Sequence, residues 1–340
     1  MQGNNAIQVS IIVPTYNRKE YLERLLGSFA SVAYPFEAME VIIVDNASDD
    51  GTRELLAGGN TAWPFFLKTV TVPGKCTPGT LRNRGVQEAC GDILVFVDSD
   101  CLVTRDWLRA LTAVFNDAAV GAAGGPDVRY PDDPPFALCV NYIMTSFLTT
   151  GGLRGTTGKK AFPYHPRSFN MAVRRSLFDA AGGFADRFYG EDVLLSARIG
   201  SLGYQLRCVE EAVVAHARKT TAFSFVRQLF CMGKARAEIA RQVPTVFTAR
   251  HGIPAVHALF LLSLPFLCRM HGAGTVVAGW YGIVIAVFLI VLGIDFIRKT
   301  KLFWWAGMAV CLFFLQQIAY GAGLIAGAVT LLHPQRKEHV

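Results

Sequence analysis

Asp92-Ile93-Leu94-Val95-Phe96-Val97-Asp98-Ser99-Asp100 is the stretch on which the reading of this chain turns. An apolar, partly β-branched run ends abruptly in two carboxylates one residue apart. Such a run fits a strand buried on both faces, as in a parallel sheet. Alternation places Asp98 and Asp100 on the same side of the chain, just past the strand end. In open α/β sheets ligands bind outside the carboxyl ends of the strands. Two hard oxygen donors there suit Mg²⁺ or Mn²⁺ holding a diphosphate. The blander alternative makes both residues caps of a following helix, Thr104 to Phe115.

The pattern repeats upstream, which counts against the blander alternative. Val9 to Val13 reads as a first strand, and Pro14-Thr15-Tyr16-Asn17-Arg18 as the turn at its carboxyl end. Arg18 to Ala30 has helical spacing, with Tyr21, Leu22, Leu25, Leu26 and Phe29 on one side. Val41 to Val44 is a second buried strand, followed by Asp45-Asn46-Ala47-Ser48-Asp49-Asp50; Ser48 or Asp49 would cap the next short helix. Phe66 to Val72 reads as a third strand and Gly79 to Cys90 as a helix carrying Arg82, Asn83 and Arg84. The β-α alternation calls for a doubly wound, mostly parallel sheet. Three strand ends then converge on one crevice with Thr15/Asn17, Asp45/Asp49 and Asp98/Asp100. That convergence points to a nucleotide site. No G-x-G-x-x-G follows the first strand and no P-loop motif occurs, so dinucleotide and P-loop readings lose their support.

The second half is less regular. Residues 151–160 are glycine-rich and basic, a lid over phosphates or a plain linker. Ser168 to Val173 is a short strand. Gly190-Glu191-Asp192 opens a helix, Val193 to Leu202, that stops at Gly203. Tyr204 to Val209 and Ala212 to Ala215 are two last strands, the second running into His216.

Bulk composition fits this division. The chain has 340 residues, 52% of them hydrophobic, and a mean hydropathy of +0.33. That excess is concentrated beyond about Gly252. The boundaries read as a globular α/β domain over 1–217, a basic interfacial helical region over 218–252, transmembrane helices over 253–333 and a polar tail over 334–340. The net charge of +7 is partly gathered just before the apolar segments, which favours lipid headgroups over nucleic acid. Eight cysteines form no C-x-x-C pair, so neither a zinc knot nor a redox motif is expected. Residues 1–8 are polar and lack a signal-peptide core, so the first domain is expected on the cytoplasmic side. Arg227, Lys234 and Arg241 lie seven apart on one helical face with Phe223, Val226, Leu229 and Phe230 as apolar partners, as in a helix lying in a membrane interface. Apolar segments follow at about Ile253–Cys268, Ala273–Ile297 and Phe303–Leu332. Arg298, Lys299 and Lys301 between the last two favour a cytoplasmic loop, so three spans are expected of a multi-pass inner-membrane protein.

Taken together, Val13-Pro14-Thr15-Tyr16-Asn17, Val44-Asp45-Asn46-Ala47-Ser48-Asp49, Arg82-Asn83-Arg84-Gly85, Asp98-Ser99-Asp100, Asn170-Met171-Ala172 and Gly190-Glu191-Asp192 resemble the family 2 glycosyltransferases of the GT-A fold. The resemblance covers roughly Ile7 to His216. It implies inverting transfer of a sugar from a nucleotide-diphosphate sugar. By resemblance, Thr15, Asn17 and Asp45 belong to the base and ribose side, Arg82 contacts the nucleotide, and Asn170 lines the donor-sugar pocket. Asp98 and Asp100 match the Mn²⁺ or Mg²⁺ motif. Glu191 and Asp192 are the catalytic candidates, with Asp192 matching the base. His216 is either a further metal ligand, as in some members, or a strand-end histidine bonded to backbone. The chemistry needs these types: in-line displacement requires one base for the acceptor hydroxyl and positive charge at the leaving diphosphate. An aspartate of ordinary pKa, about 3.9, is ionised at neutral pH, and a helix N-terminus favours the anion.

One departure bears on the product. The processive synthases carry Q-x-x-R-W after the base, and Phe225 to Met232 has no such sequence. Single additions are therefore expected, to a lipid-linked or glycolipid acceptor at the cytoplasmic membrane face. Two other readings compete: a non-catalytic, membrane-anchored subunit that keeps the nucleotide fold, and a nucleotidyltransferase. Retention of Asp98, Asp100 and Asp192 disfavours the first. The lack of a glycine-rich basic loop after the first strand disfavours the second. Oligomeric state is left open by the sequence.

Overall fold

The computed structural model describes residues 8–150, 164–218, 221–270 and 272–330. The glycine-rich stretch 151–160 and the tail 334–340 lie outside the described residues. The chain divides into two compact units, 1–131 with 154–217 and 132–153 with 218–340.

The first unit opens with β1 (Val9–Thr15), α1 (Lys19–Phe29), β2 (Met39–Asp45), α2 (Thr52–Ala57), β3 (Phe66–Thr71), α3 (Pro78–Glu88), β4 (Ile93–Val97), β5 (Cys101–Val103), α4 (Trp107–Ala113), β6 (Val120–Gly124) and β7 (Asp127–Arg129). The chain then leaves for the second unit, forming α5 (Pro135–Thr145) and α6 (Phe147–Thr150). It returns with β8 (Asn170–Arg174), α7 (Arg175–Ala180), α8 (Glu191–Ser201), β9 (Gln205–Cys208) and β10 (Val214–His216). Among the described residues, seven strands form a sheet in the order β3-β2-β1-β4-β8-β6-β9, and β5-β10-β7 form a smaller one. The large sheet is mostly parallel; β8 runs antiparallel to both β4 and β6.

The central strands are apolar because both faces are covered. Ile11, Ile12, Val13, Val41 to Val44 and Leu94 to Val97 are all fully buried, as their unbroken apolar sequence requires. On one face α1 buries Leu22, Leu25, Leu26 and Phe29. On the other, α3 begins at a Thr77 cap whose Oγ1 accepts from Thr80 N at 3.2 Å, with Pro78 at the first helical position. Gly85 lets α3 press onto the sheet: a Cβ there would meet Ile12 Cγ2 at 2.5 Å and Val44 Cγ2 at 2.9 Å.

Register fixes the functional edge. Thr15 pairs with Asp45, Val97 with Asn170 and Cys101 with His216. Several details differ from the sequence reading. Asp98-Ser99-Asp100 is a turn closed by Cys101 N on Asp98 O at 3.1 Å, so simple strand alternation does not govern the two carboxylates. A short strand, β5, follows it, and α4 starts only at Trp107, with Asp106 at its N-cap. Neither Asp98 nor Asp100 caps a helix. The cap of α2 is Gly51, with Asp50 Oδ1 accepting from Thr52 N at 3.1 Å, rather than Ser48 or Asp49.

In the second unit, α9 (Ala222–Gln242), α10 (Ala249–Arg269), α11 (Ala273–Thr300) and α12 (Ala306–Thr330) share one core with α5. Cys139, Tyr142 and Ile143 of α5 are buried with Phe225, Leu229, Leu292, Phe296, Leu312 and Phe313. This apolar surface is why the segment 132–153, which the sequence places inside the catalytic domain, clusters with the C-terminal helices. Ala249–Arg269, Ala273–Thr300 and Phe303–Thr330 are each long and apolar enough to cross a membrane.

Candidate active site

The site grows from the carboxyl ends of β1, β2 and β4. Asp45 ends β2 fully buried, and its two oxygens accept from Ser48 N at 3.2 Å each, while Arg53 Nε lies 3.7 Å from Oδ2. The loops after β1 and β2 are locked to each other. Asn17, at a φ of 50°, donates Nδ2 to Asp49 Oδ1 at 2.7 Å and receives Asp49 N at 3.0 Å. Its own N–H reaches Ser48 Oγ at 2.9 Å. Asn17 and Asp45 are therefore both tied through Ser48. Thr15 lies between them, 3% exposed, with its hydroxyl lacking a partner. A buried hydroxyl in that state costs free energy that a bound polar ligand can recover.

The two carboxylates after β4 take different partners. Asp98 Oδ1 accepts from Arg82 at 2.5 Å. Asp100 faces His216 Nε2, 3.4 Å from its Oδ1, and Arg18, 3.7 Å from its Oδ2. His216 stacks on Phe169 with ring centroids 4.6 Å apart, and its Nδ1 is buried without a hydrogen bond. The ligand atoms of Asp100, Cys101 and His216 all lie within 4.8 Å of one another. Burial pushes the Cys101 thiol well above its ordinary pKa, and it rests 3.8 Å from Phe169 O. The usable donors are thus a carboxylate and an imidazole. Two adjacent ligands of one octahedral cation stand about 3 Å apart, given bonds of about 2.1 Å, and the Asp100–His216 spacing meets that.

Arg82, expected from the resemblance to contact the nucleotide, is 2% exposed and spans two carboxylates, donating to Asp98 and, at 3.0 Å, to Glu191 Oε1, while its Nε has no partner. A buried guanidinium needs such pairing. Its role is to tie the end of β4 to the start of α8. Asn170 is likewise an internal brace: it is fully buried, its Oδ1 accepts from Trp107 Nε1 at 2.9 Å and its Nδ2 donates to Ala212 O at 2.7 Å.

Glu191 and Asp192 open α8 after Gly190, whose φ is 80°. Asp192 Oδ1 accepts from Val193 N at 2.7 Å, Oδ2 accepts from Ser168 N at 3.4 Å, and Arg167 stands 3.9 Å from Oδ2. These donors fix the carboxylate in one place at the start of α8. Glu191 differs: burial, and then the neighbouring Asp192, push it up to about 7. The loop before α8 is clamped by α3. Asn83 takes both the N–H and the C=O of Phe184, at 3.0 and 2.8 Å, and Asp186 Oδ1 accepts from Thr77 and Thr80 at 2.6 and 2.8 Å. Sequence reasoning gave no role to Arg18, Ser168, Arg167 or Asp186. Arg18 was legible in the turn after the first strand; the others become visible only through long-range contact.

The mostly parallel sheet thus gathers Thr15, Asp45, Asp98 and Asp100 at its strand ends, and Asp192 stands at the start of α8. The glycosyl transferase family 2 model matches residues 10–181, just over half of the chain, and the chain belongs to that family. Its sequence is 27% identical over 233 residues to glycosyltransferase AglE of Haloferax volcanii, covering 68% of this chain and 73% of that one. It is 28% identical over 233 residues to the O-antigen chain rhamnosyltransferase WbaN of Salmonella anatum, covering 66% and 70%. Among solved structures, a mannosyltransferase of Pyrobaculum calidifontis in complex with GDP-mannose and Mn²⁺ superposes with a TM-score of 0.67 at 21% identity, over 97% of this chain and 88% of that one. The expected family and fold are thereby borne out.

Proposed function

We propose that this glycosyltransferase is metal-dependent and inverting, adds one sugar per encounter, and acts on a membrane-borne acceptor. The observation that carries the reading is the pairing of two differently built carboxylate centres: Asp100 with His216, and Asp192 at the start of α8.

Asp100 and His216 would hold a divalent cation, with Asp98 beside them paired to Arg82 through its Oδ1, and the oxygen–imidazole donor set suits Mn²⁺ or Mg²⁺. Charge from such a cation stabilises the diphosphate as it leaves. The mannosyltransferase relative's Mn²⁺ agrees with this choice. Thr15, Asn17 and Asp45 frame the base and ribose end, with the free Thr15 hydroxyl as a ready polar contact. Asp192 accepts the acceptor hydroxyl proton while that oxygen bonds to the anomeric carbon and the bond to the diphosphate breaks. Fixed by Val193 N and Ser168 N, Asp192 cannot swing to become a nucleophile on the opposite face, which favours single displacement with inversion. Arg82 keeps the two centres in register through Asp98 and Glu191. The missing Q-x-x-R-W motif supports single additions. The long apolar helices support a lipid-linked or glycolipid acceptor, whose local concentration rises when enzyme and acceptor share a membrane.

Thermal stability of the purified protein with UDP-, GDP-, dTDP- and ADP-linked compounds tests the site, with Mn²⁺ and then with EDTA. A ligand at a hundred times its Kd adds about 2.7 kcal/mol. One nucleotide should raise Tm only with metal, and NMR of the product should show the anomeric configuration reversed. A metal-independent shift, or retention, overturns the proposal.

A further inference from the structure

Three helices qualify as spans by length, and α12 packs on the first turns of α10, where a Cβ on Gly321 would meet Pro254 O at 2.5 Å, but the three differ in how much of their surface the protein covers. Resting on the membrane reading above, we propose that only α10 and α11 cross the bilayer. On this reading α12 lies in the membrane interface beside α9, and its end at Thr330 stays on the side from which α10 enters.

α10 and α11 form an antiparallel hairpin. His257 Nε2 meets Tyr281 Oη at 2.6 Å, Phe260 packs on Tyr281 at 4.5 Å, and Gly274 closes against Leu267 and Met270. Their outer surfaces are apolar and uncovered along the whole length. Leu262 and Phe266 are 78% and 75% exposed, and Val276, Trp280, Ile283, Val287, Ile290 and Ile294 continue the surface on α11. Such a surface fits hydrocarbon. Only 17% and 6% of the most apolar stretches of these two helices is buried within the protein.

α12 is built differently: half of its most apolar stretch is buried within the protein, and Gln316 and Gln317 are among its buried residues. Its contact with α9 is the most extensive between any two helices of the described residues. The backbones touch. A Cβ on Gly323 would meet Phe230 O at 2.0 Å, one on Gly327 would meet Lys234 O at 2.7 Å, and one on Gly233 would meet Tyr320 O at 2.2 Å. Residue numbers rise together on both helices, so the two run parallel and α9 follows α12 along its C-terminal half. α9 carries Arg227, Lys234, Arg236, Glu238 and Arg241. If α12 stood across the bilayer, α9 would be drawn in beside it. Each charge at the bilayer centre costs about 3 kcal/mol or more. Laid in the interface, the pair instead presents a narrow apolar strip to the lipid, Ile318 and Val329 from α12 with Phe223 and Phe230 from α9, and keeps its cations at headgroup level.

Basic residues point the same way. Arg298, Lys299 and Lys301 end α11 on the side where α10 begins, against Arg269 alone at the turn.

The test uses the full chain in intact cells. A cysteine-free background receives one thiol back at a time: Cys268 beside the α10–α11 turn, Cys90 in the catalytic unit, or Thr330→Cys at the end of α12. An impermeant maleimide should label Cys268 in intact cells, and label Cys90 and Thr330→Cys only after permeabilisation. If the background fails to fold, an epitope tag after Val340 in the otherwise unaltered chain serves, with protease added to right-side-out vesicles; the tag should survive. Labelling of Thr330→Cys in intact cells, or loss of the tag, means that α12 crosses and overturns the proposal while leaving the membrane reading intact. No labelling of Cys268 in intact cells, with the chain released by alkaline carbonate, removes the membrane reading and this inference with it.

Discussion

The two ends of the same strands carry carboxylates of opposite kinds. At the amino end, Glu40 of β2 is 1% exposed, and all its partners are internal: Ser10 Oγ and Cys90 N both donate to its Oε1 at 2.6 Å, and Gly91 N reaches Ser10 Oγ at 2.8 Å. At the carboxyl end, Asp45, Asp98, Asp100 and Asp192 sit among polar atoms that still lack partners, the Thr15 hydroxyl, Arg82 Nε and His216 Nδ1. A closed polar network rigidifies a fold; an incompletely satisfied one is a place built for something else. Glu40 and the carboxyl-end carboxylates can be broken independently, which tests whether the first serves stability and the second chemistry.

The largest effect belongs to the open end. Asp192→Asn should lower the transfer rate by about 10²–10⁴, the usual worth of a positioned base, with donor binding and Tm nearly unchanged. Full activity in that variant would remove Asp192 as the base. Asp100→Ala should cost about 10²–10³ in rate, as loss of charge stabilisation does elsewhere, and should abolish any Mn²⁺-dependent rise in Tm with nucleotide. A variant that still responds to Mn²⁺ would place the cation elsewhere.

The closed end should answer in the other currency. Glu40→Ala leaves the buried Ser10 Oγ and the half-buried Cys90 N without their acceptor, a loss of about 2 kcal/mol. Denaturant melts should show that loss, while activity per folded molecule stays the same. A rate defect with unchanged stability would erase the distinction between the two ends. Asn83→Ala sits between them. It removes the bidentate hold on Phe184 in the loop leading to α8. It should cost about 2 kcal/mol of stability and also lower kcat more than it raises KM, because the loop sets where Asp192 stands.

How far the sequence could see follows from which interactions are local. The buried strands were legible because Val41 to Val44 and Leu94 to Val97 are apolar without interruption, which only a doubly covered sheet allows. The site carboxylates were legible because they abut those strands. Arg82 was not: nothing in Leu81-Arg82-Asn83 says that its guanidinium is held between residues 16 and 109 positions away. Glu40 was hidden for the same reason, its partners lying 30 and 50 residues off. The placement of 132–153 was lost because an apolar helix looks alike from sequence whether it buries in one unit or another. Asp98 and Asp100 were assigned to one side by strand periodicity, yet the strand ends at Val97 and a turn sets their directions.

The pH dependence of stability is the sharpest probe of how the open end is poised. Glu191 is pushed up to about 7, chiefly by burial and then by Asp192, with Arg82 opposing. The unfolded chain would titrate it near the ordinary 4.5. Between those values the folded protein holds a proton that the unfolded chain has already released, so raising the pH draws the equilibrium toward unfolding. The contribution is fully present below about pH 4.5 and declines as pH rises through 7. Glu191→Gln keeps the shape and stays neutral, so its Tm should lack this part of the decline and should overtake that of the unaltered protein toward pH 8. The opposite crossing, with the glutamine variant losing ground as pH rises, would show that the Arg82 pairing outweighs burial. Glu191 would then be held as a permanent anion, and the start of α8 would carry two fixed negative charges rather than one.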